Sequence, residues 1–244
     1  MANPRRPRKS PESTVKPAKA AKPAKAAKAY HHGDLRRGLL DAGLALIEEQ
    51  GAQAFTLREA ARRAGVSQAA PYRHFVDKRA LLGAIAEEGF RALTARMLAE
   101  RARSDAPPGN IEPLGMGYLL FAIENPAHYR VMFGPGSRML DVAPSVNEAG
   151  VDSFQVLLDG VTAGQRAGLL RAGDPMELAL FAWAIVHGLA LLVIDGIVPV
   201  GDALAGVDPK NQTADVDPLA FRRLAAQMLH LSLAGMSARD VGAA

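Results

Sequence analysis

The chain of 244 residues is 49% hydrophobic, only 5% aromatic and free of cysteine. This length suffices for one or two domains with a sizeable core, and the dominance of alanine and leucine over β-branched residues predicts an all-α fold. The lack of cysteine excludes disulfides and thiolate metal sites and fits a reducing cytosol. The basic N-terminus carries no apolar segment of the kind that a secretory signal needs.

Charge is unevenly distributed along the chain. The net charge of +4 divides into +8 for residues 1–29, +3 for residues 30–104 and −7 for residues 105–244. This asymmetry is typical of a polyanion-binding head on a body that avoids the polyanion.

Residues 1–29 repeat a Lys-Pro-Ala theme that cannot form a core, and they are predicted to be a disordered basic tail. Two interpretations stay open. The tail either attracts DNA phosphates without sequence preference, in a salt-sensitive manner, or only keeps the protein soluble.

A bracing helix is predicted over residues 34–50, with Asp34 as its N-cap and Gly51 as its end. Residues 56–75 then predict two short helices joined by a tight turn. Thr56 and Glu59 have the spacing of a capping box, Gly65 supplies a left-handed residue, and Val66 fills the turn. We expect Ser67 to cap the second helix at once. The pair is a helix-turn-helix, whose second helix can enter a DNA major groove.

The second helix of this motif carries the predicted DNA contacts. Gln68 can bind adenine, and the methyl groups of Ala69 and Ala70 can contact thymine. Phosphate and sugar contacts are predicted for a cluster of aromatic and cationic side chains: Tyr72, Arg73, His74 and Lys78. Each alone would be an ordinary solvated residue, but their clustering favours a DNA interface. Phe75 is predicted to be core, and Pro71 removes a backbone donor within the first turn.

Residues 30–85, with their Val-Ser-x-x-x-x-Tyr-x-His-Phe-x-x-Lys pattern, resemble the DNA-binding head of the TetR family of bacterial transcriptional regulators. The resemblance implies a DNA-binding head over residues 30–78, an all-helical effector-binding and dimerisation body over residues 79–244, and a homodimer. It adds Thr56 and Arg58 to the predicted contacts, and Ser67 is included as the cap. Pro71 stands where the family commonly has leucine, and Ala69 and Ala70 offer few hydrogen bonds, so shape and phosphate contacts are expected to supply much of the affinity.

Helical spacing continues through the rest of the chain. Asp77 caps a long helix that links head and body, with an apolar stripe that includes Leu98. Further helices are predicted over residues 110–124, 127–133, 145–167, 174–197 and 217–235. The apolar positions of the 145–167 helix include Val151. The last helix presents an apolar face that needs a partner, formed by Leu219, Leu224, Met228 and Leu231.

The helix near residues 175–197 is apolar almost all round over residues 178–194. That run falls just short of a membrane span, and we interpret it as a buried helix at a subunit interface. With the helix at 217–235 it would form a four-helix bundle in a twofold dimer, which predicts a palindromic operator. Trp183, His187 and Gly188 make the body similar to a TetR subgroup named for a Trp-His-Gly pattern.

An effector pocket is expected within residues 90–190. Its candidate lining residues, each of which is more typical of plain core than of a ligand contact, are Met97, Tyr118, Phe121, Met132, Phe154, Trp183 and His187. Few charges fall nearby, so an apolar or aromatic effector is predicted. The histidines, including the pair His31 and His32, lack metal-ligand spacing, and no catalytic or nucleotide-binding motif is present, so no metal, cofactor or enzyme activity is predicted.

Two functions from different classes remain open. One is a cytoplasmic, nucleoid-associated repressor that binds a palindrome as a homodimer and is released by a small molecule. The other is an architectural protein that binds DNA through its basic tail with little sequence preference.

Overall fold

A computed structural model describes residues 35–134, 143–198 and 218–237. Within these ranges the chain is helical, with one isolated bridge between Leu170 and Ser237. The α-helices are α1 (Leu35–Gln50), α2 (Leu57–Arg63), α3 (Lys78–Ala102), α4 (Glu112–Glu124), α5 (Pro126–Phe133), α6 (Pro144–Arg166), α7 (Pro175–Ile194) and α8 (Pro218–Ala234), with a 3-10 helix at Ala70–Arg73. The basic tail, His31, His32 and the Asp34 cap lie outside the described residues.

The head is built on a small apolar core between α1, α2 and the start of α3. Leu39, Leu40 and Ile47 of α1 are fully buried, as the helical spacing predicts. Phe55 and Phe75, which precede and follow the helix-turn-helix, are also buried. Their burial confirms Phe75 as core and closes the turn region onto α1.

The first helix of the motif begins and ends as its residues predict. The Thr56 hydroxyl accepts from the Glu59 backbone N–H at 3.2 Å, and the Glu59 carboxylate accepts from the Thr56 backbone N–H at 2.8 Å. This reciprocal pair is a capping box. Gly65 follows α2 with φ of 71°, a left-handed conformation that favours glycine.

The second helix of the motif differs from the prediction. It begins at Ala70 rather than directly after a Ser67 cap, and it is a single 3-10 turn with no side-chain cap. Pro71 explains the change, because it has no N–H to donate to the Ser67 carbonyl and it disfavours the α conformation at Ala70. The Ser67 carbonyl instead accepts from Ala70, and the N–H groups of His74 and Phe75 both bond to the Pro71 carbonyl.

The long helix α3 connects the head to the body. Asp77 caps it by accepting from the Ala80 N–H at 2.8 Å, as predicted. Leu98 is 49% exposed, so its assignment to the buried stripe was wrong: over 25 residues the helix turns successive faces toward different neighbours. At Gly117 of α4 a Cβ atom would lie 2.6 Å from the Cα of Met97, so the backbones of α3 and α4 approach too closely for any larger residue.

The body packs α4 at its centre, between α3, α5, α7 and α8. Its α7 begins as predicted, with the Asp174 carboxylate accepting from the Met176 N–H at 2.9 Å. The Asn110 side chain likewise accepts from the Glu112 N–H at the start of α4.

The apolar residues of α6 and α8 are not all buried as predicted. Val151 of α6 is 56% exposed rather than core. In α8 the residues that pack inward are Phe221, Ala225 and Leu229, and the predicted face is largely outward. Its most exposed members are Leu219, Met228 and Leu231. The helix is therefore apolar on two sides, of which the single chain covers one.

The capping box and the absent Ser67 cap give a paired stability test. Thr56→Ala removes the acceptor of the Glu59 N–H and is expected to cost about 1 kcal/mol of unfolding free energy. Ser67→Ala removes no capping bond and should stay within about 0.5 kcal/mol of the parent protein. Urea denaturation followed by circular dichroism measures both. Equal losses would show that Ser67 caps the second helix after all.

Candidate DNA-contacting surface and body cavity

The predicted DNA contacts lie on one exposed segment of the head. The side chains of this set that are exposed are Thr56, Arg58, Ser67, Gln68, Ala69, Tyr72, Arg73 and His74. Ala70 and Lys78 are half-buried. Tyr72, at 52% exposure, is a large aromatic residue on the surface, as a phosphate- or sugar-contacting residue would be.

Lys78 has a structural role in addition to its predicted one. Its ammonium group donates to the Gln53 carbonyl at 2.8 Å and lies 4.8 Å from the centre of the Phe55 ring. Partial burial lowers the pKa of Lys78. The side chain thus fastens the start of α3 to the loop before α2.

The arginines of the head divide into paired and free groups. Arg63 donates to Glu49 at 2.6 Å and ties α2 to α1, while Arg36 lies over the Phe75 ring. Arg58 and Arg62 make no ion pair with any residue that the structure describes. They lie four residues apart on α2 and hence on one face of it. Arg62 was missed as a candidate, although its i+4 spacing from Arg58 could have indicated it.

The body has a cavity of about 620 Å³ between α3, α4, α5, α6 and α7, and this cavity is partly open to the surface. Five of the seven predicted effector residues line it: Met97, Tyr118, Met132, Phe154 and Trp183. Phe121 does not, because α4 is buried on several sides and this residue faces the packed core. His187 also lies off the lining. Residues that the prediction missed include Phe90, Phe133, Ser153 and Leu157.

His187 is held by a hydrogen-bond cluster that joins three helices. Its Nδ1 lies 2.8 Å from the Tyr118 hydroxyl of α4 and 2.7 Å from the Tyr129 hydroxyl of α5. The two hydroxyls are 3.0 Å apart, and the Trp183 indole N–H donates to Tyr118 at 3.2 Å. The prediction left open whether Trp183 and His187 are core or pocket residues. Trp183 lines the cavity, whereas His187 lies outside the lining and hydrogen-bonds to Tyr118, which is part of it.

Every donor in this cluster is satisfied when His187 is neutral and its Nδ1 accepts a hydrogen bond. Trp183 donates to Tyr118, one of the two tyrosine hydroxyls donates to the other, and that other hydroxyl donates to His187. Burial favours this state, because it lowers the pKa of His187 and raises the pKa of Tyr118 to about 12. The pKa of Tyr129 is raised for the same reason. The cluster is therefore uncharged near neutral pH.

The cluster predicts unequal effects of removing its two hydroxyls. Tyr118→Phe leaves the Trp183 N–H without an acceptor and should cost about 1–3 kcal/mol of unfolding free energy. Tyr129→Phe should cost less, because the Tyr118 hydroxyl already lies 2.8 Å from His187 and can donate to it directly. Chemical denaturation of the two variants checks the order. A larger loss for Tyr129→Phe would contradict the role of Tyr118 as the acceptor of the Trp183 N–H.

In the parts of the chain that the structure describes, no group of three or more histidine, aspartate or glutamate side chains is placed to hold a metal ion. Helix α7, at 20 residues and a mean hydropathy of 2.1, is long and apolar enough to cross a membrane. It is longer than the apolar run read from the sequence because it begins at Pro175. Since a core helix of a soluble protein meets the same criterion, this is weak evidence for a span.

Comparison with known proteins identifies both parts of the chain. Residues 39–85 match the family model of the bacterial regulatory proteins of the tetR family, and residues 111–208 match that of the tetracyclin repressor-like C-terminal domain. The latter does not test the Trp-His-Gly subgroup, which stays a prediction. A class G tetracycline repressor protein from Vibrio anguillarum is 44% identical over 62 residues, which are 25% of this chain and 30% of that protein.

Solved structures extend the likeness to the body. A protein of unknown function from Rhodococcus sp. RHA1 is 32% identical, with a TM-score of 0.69 over 86% of this chain and all of that one. A regulatory protein of the tetR family from Rhodococcus RHA1 shares the fold at 22% identity, with a TM-score of 0.61 over 86% of this chain and all of that one. The helix-turn-helix head, the all-helical body and these matches together show that the chain belongs to the TetR family of DNA-binding transcriptional regulators, a family of regulators rather than enzymes.

Proposed function

We propose that this regulator is a repressor that binds a palindromic operator as a homodimer and is released by a small apolar or aromatic effector. The observation that carries the proposal is the shared use of α3. This helix begins at the DNA-binding head, and its residues Phe90, Leu93 and Met97 form one wall of the body cavity. A ligand in the cavity therefore contacts the element that orients the head.

On the DNA side, we assign base recognition mainly to Gln68 and Arg58. The 3-10 turn at Ala70–Arg73 is shorter than the helix that usually enters a major groove, so few side chains reach base edges. Tyr72, Arg73 and His74 are assigned to phosphate and sugar, and Arg62 joins them as a free cation beside Arg58. Shape-dependent recognition then supplies part of the specificity.

Coupling between cavity and head runs through α5 as well as α3. Met132 of α5 lines the cavity, and its side chain packs directly against Gly89 of α3. The same helix α5 also contacts α1 of the head. A ligand that favours one position of α5 would shift the equilibrium between two positions of the head. The free energy of that shift cannot exceed the difference between the ligand's binding free energies for the two states.

The homodimer is proposed to form through α7 and α8. Both helices leave large apolar side chains uncovered in the single chain: Met176, Leu180, Phe181, Leu191 and Leu192 on α7, and Leu219, Met228 and Leu231 on α8. Contiguous exposed apolar surface of this kind is typical of protein interfaces, and a twofold axis would bring the two pairs of helices into a four-helix bundle.

The alternative is an architectural protein that holds DNA through its basic tail and needs no effector. The net charge of +8 over residues 1–29 supports this interpretation of the tail. In either case we place the protein in the bacterial cytoplasm, in contact with the nucleoid.

Selection of bound DNA from a random pool distinguishes the two functions. With both full-length protein and a variant lacking residues 1–29, we expect one palindromic motif. Gln68→Ala should weaken binding to that motif by about 5- to 100-fold, since a bidentate base contact contributes about 1–3 kcal/mol of discrimination. Arg166→Ala, an exposed cation on the distant α6, is the control and should bind like the parent.

The repressor assignment fails if the tail-deleted protein selects no palindrome. A steep salt dependence that is unchanged by Gln68→Ala would instead support the architectural function.

The proposed dimer is tested by introducing charge into its apolar face. Phe181→Arg on α7 or Leu231→Arg on α8 should convert the protein to a monomer at micromolar concentration, because an unpaired buried charge is costly. Leu98→Arg is the matched control, since Leu98 is as exposed as Phe181 but lies on α3. Sedimentation velocity reports the oligomeric state. If both interface variants stay dimeric, the two-helix interface is wrong.

A further inference from the structure

We infer that the cavity takes an uncharged, mainly apolar molecule that carries one hydroxyl or carbonyl group, and that Ser153 is the residue that binds this group. The inference deepens the proposed effector function and rests on it for its biological meaning. It follows from the side chains that line the cavity and from which of their polar atoms are already paired.

The lining excludes a charged ligand. Among the described residues that line the cavity none is acidic, basic or a histidine. An ionised group placed there would lose its hydration without gaining a counter-ion, which is strongly unfavourable. Most of the wall is aromatic or aliphatic, with Phe90, Phe133, Phe154 and Trp183 contributing rings. Such a wall suits an apolar skeleton.

Most polar atoms near the cavity are already engaged. The Trp183 N–H and the Tyr118 hydroxyl bond to each other within the His187 cluster. The Gln155 amide nitrogen donates to Asp159 at 2.7 Å, and Asn147 is exposed at the rim. None of these groups is a free partner deep in the cavity.

Ser153 is the exception. It is only 6% exposed and is the buried polar residue of the described chain, yet its hydroxyl makes no hydrogen bond to any residue that the structure describes. Helical hydroxyls usually bond to the carbonyl four residues back, as Thr94 does to Phe90 and Thr162 does to Leu158. Among the described residues, Arg96 Nε is the fully buried side-chain polar atom without a partner, so the Ser153 oxygen remains accessible from the cavity that it lines. A ligand there can supply the missing bond.

The position of Ser153 also sets the orientation of the ligand. Ser153 lies on α6, whereas Phe90 and Trp183 come from α3 and α7 on other sides of the cavity. The polar group of the ligand would therefore face α6, with its apolar body against these rings.

Trp183 makes the inference directly measurable, because it is the chain's single tryptophan and lines the cavity. Quenching of its fluorescence in DNA-free, full-length protein reports binding of three probes with one skeleton: biphenyl, 4-phenylphenol and biphenyl-4-carboxylate. At pH 7.5 we expect 4-phenylphenol to bind about 2- to 10-fold more tightly than biphenyl, as one neutral hydrogen bond allows. The carboxylate should bind most weakly.

Ser153→Ala removes only the hydroxyl and suits a helix, so the protein should remain folded. It is expected to bring the ratio of the biphenyl and 4-phenylphenol dissociation constants to about 1. Thr162→Val is the control on the same helix, because its hydroxyl is bonded to Leu158, and it should keep the parent preference.

The inference is overturned if the carboxylate binds best, if the hydroxyl preference survives Ser153→Ala, or if none of the probes quenches Trp183. Release of the selected operator is measured separately, by mobility shift. Probes that bind with the expected preference but release no DNA would count against effector-controlled repression and leave the ligand class intact.

Discussion

The hydrogen bonds of the Tyr118 hydroxyl join three helices in the body of this regulator. This hydroxyl joins α4 to α7 through Trp183 and His187, and to α5 through Tyr129. Tyr118 and Tyr129 are buried and Trp183 and His187 are half-buried, so these groups have little access to water and bond to one another across the three helices. The cluster thereby positions Trp183 in the cavity wall and α5 against the head.

Capping and turn residues close together in the chain set the conformation of the head, and Pro71 alone departs from the usual pattern. The capping box of Thr56 and Glu59 and the left-handed Gly65 place α2 and the turn as in an ordinary helix-turn-helix. Pro71 then limits the second helix to one 3-10 turn. The cost of that proline is partly offset because it is buried against the head and its carbonyl accepts two N–H groups. The resulting surface has few base-reading side chains and many that suit phosphate and sugar.

The cavity and the exposed apolar faces give the body its two proposed activities. A wall without charge beside a buried, unbonded Ser153 is suited to a neutral ligand with one polar group. The outward leucines and methionines of α7 and α8 are suited to a second copy of the chain. Both the cavity and the outer faces of α7 and α8 are apolar surfaces that the single chain leaves uncovered. Helix α3 joins the body that carries them to the head.

The sequence by itself determined the helices, their caps at Thr56, Asp77 and Asp174, and the family, because these depend on residues close together in the chain. It also predicted five residues of the cavity wall from their size and spacing. Only the tertiary structure decided which side of each apolar helix faces the core. In α4 and α8 several sides are apolar, so spacing could not exclude Phe121 from the cavity or assign Leu229 rather than Leu231 to the interior. The partner of His187 and the unbonded state of Ser153 likewise depend on contacts between helices that are distant in the chain.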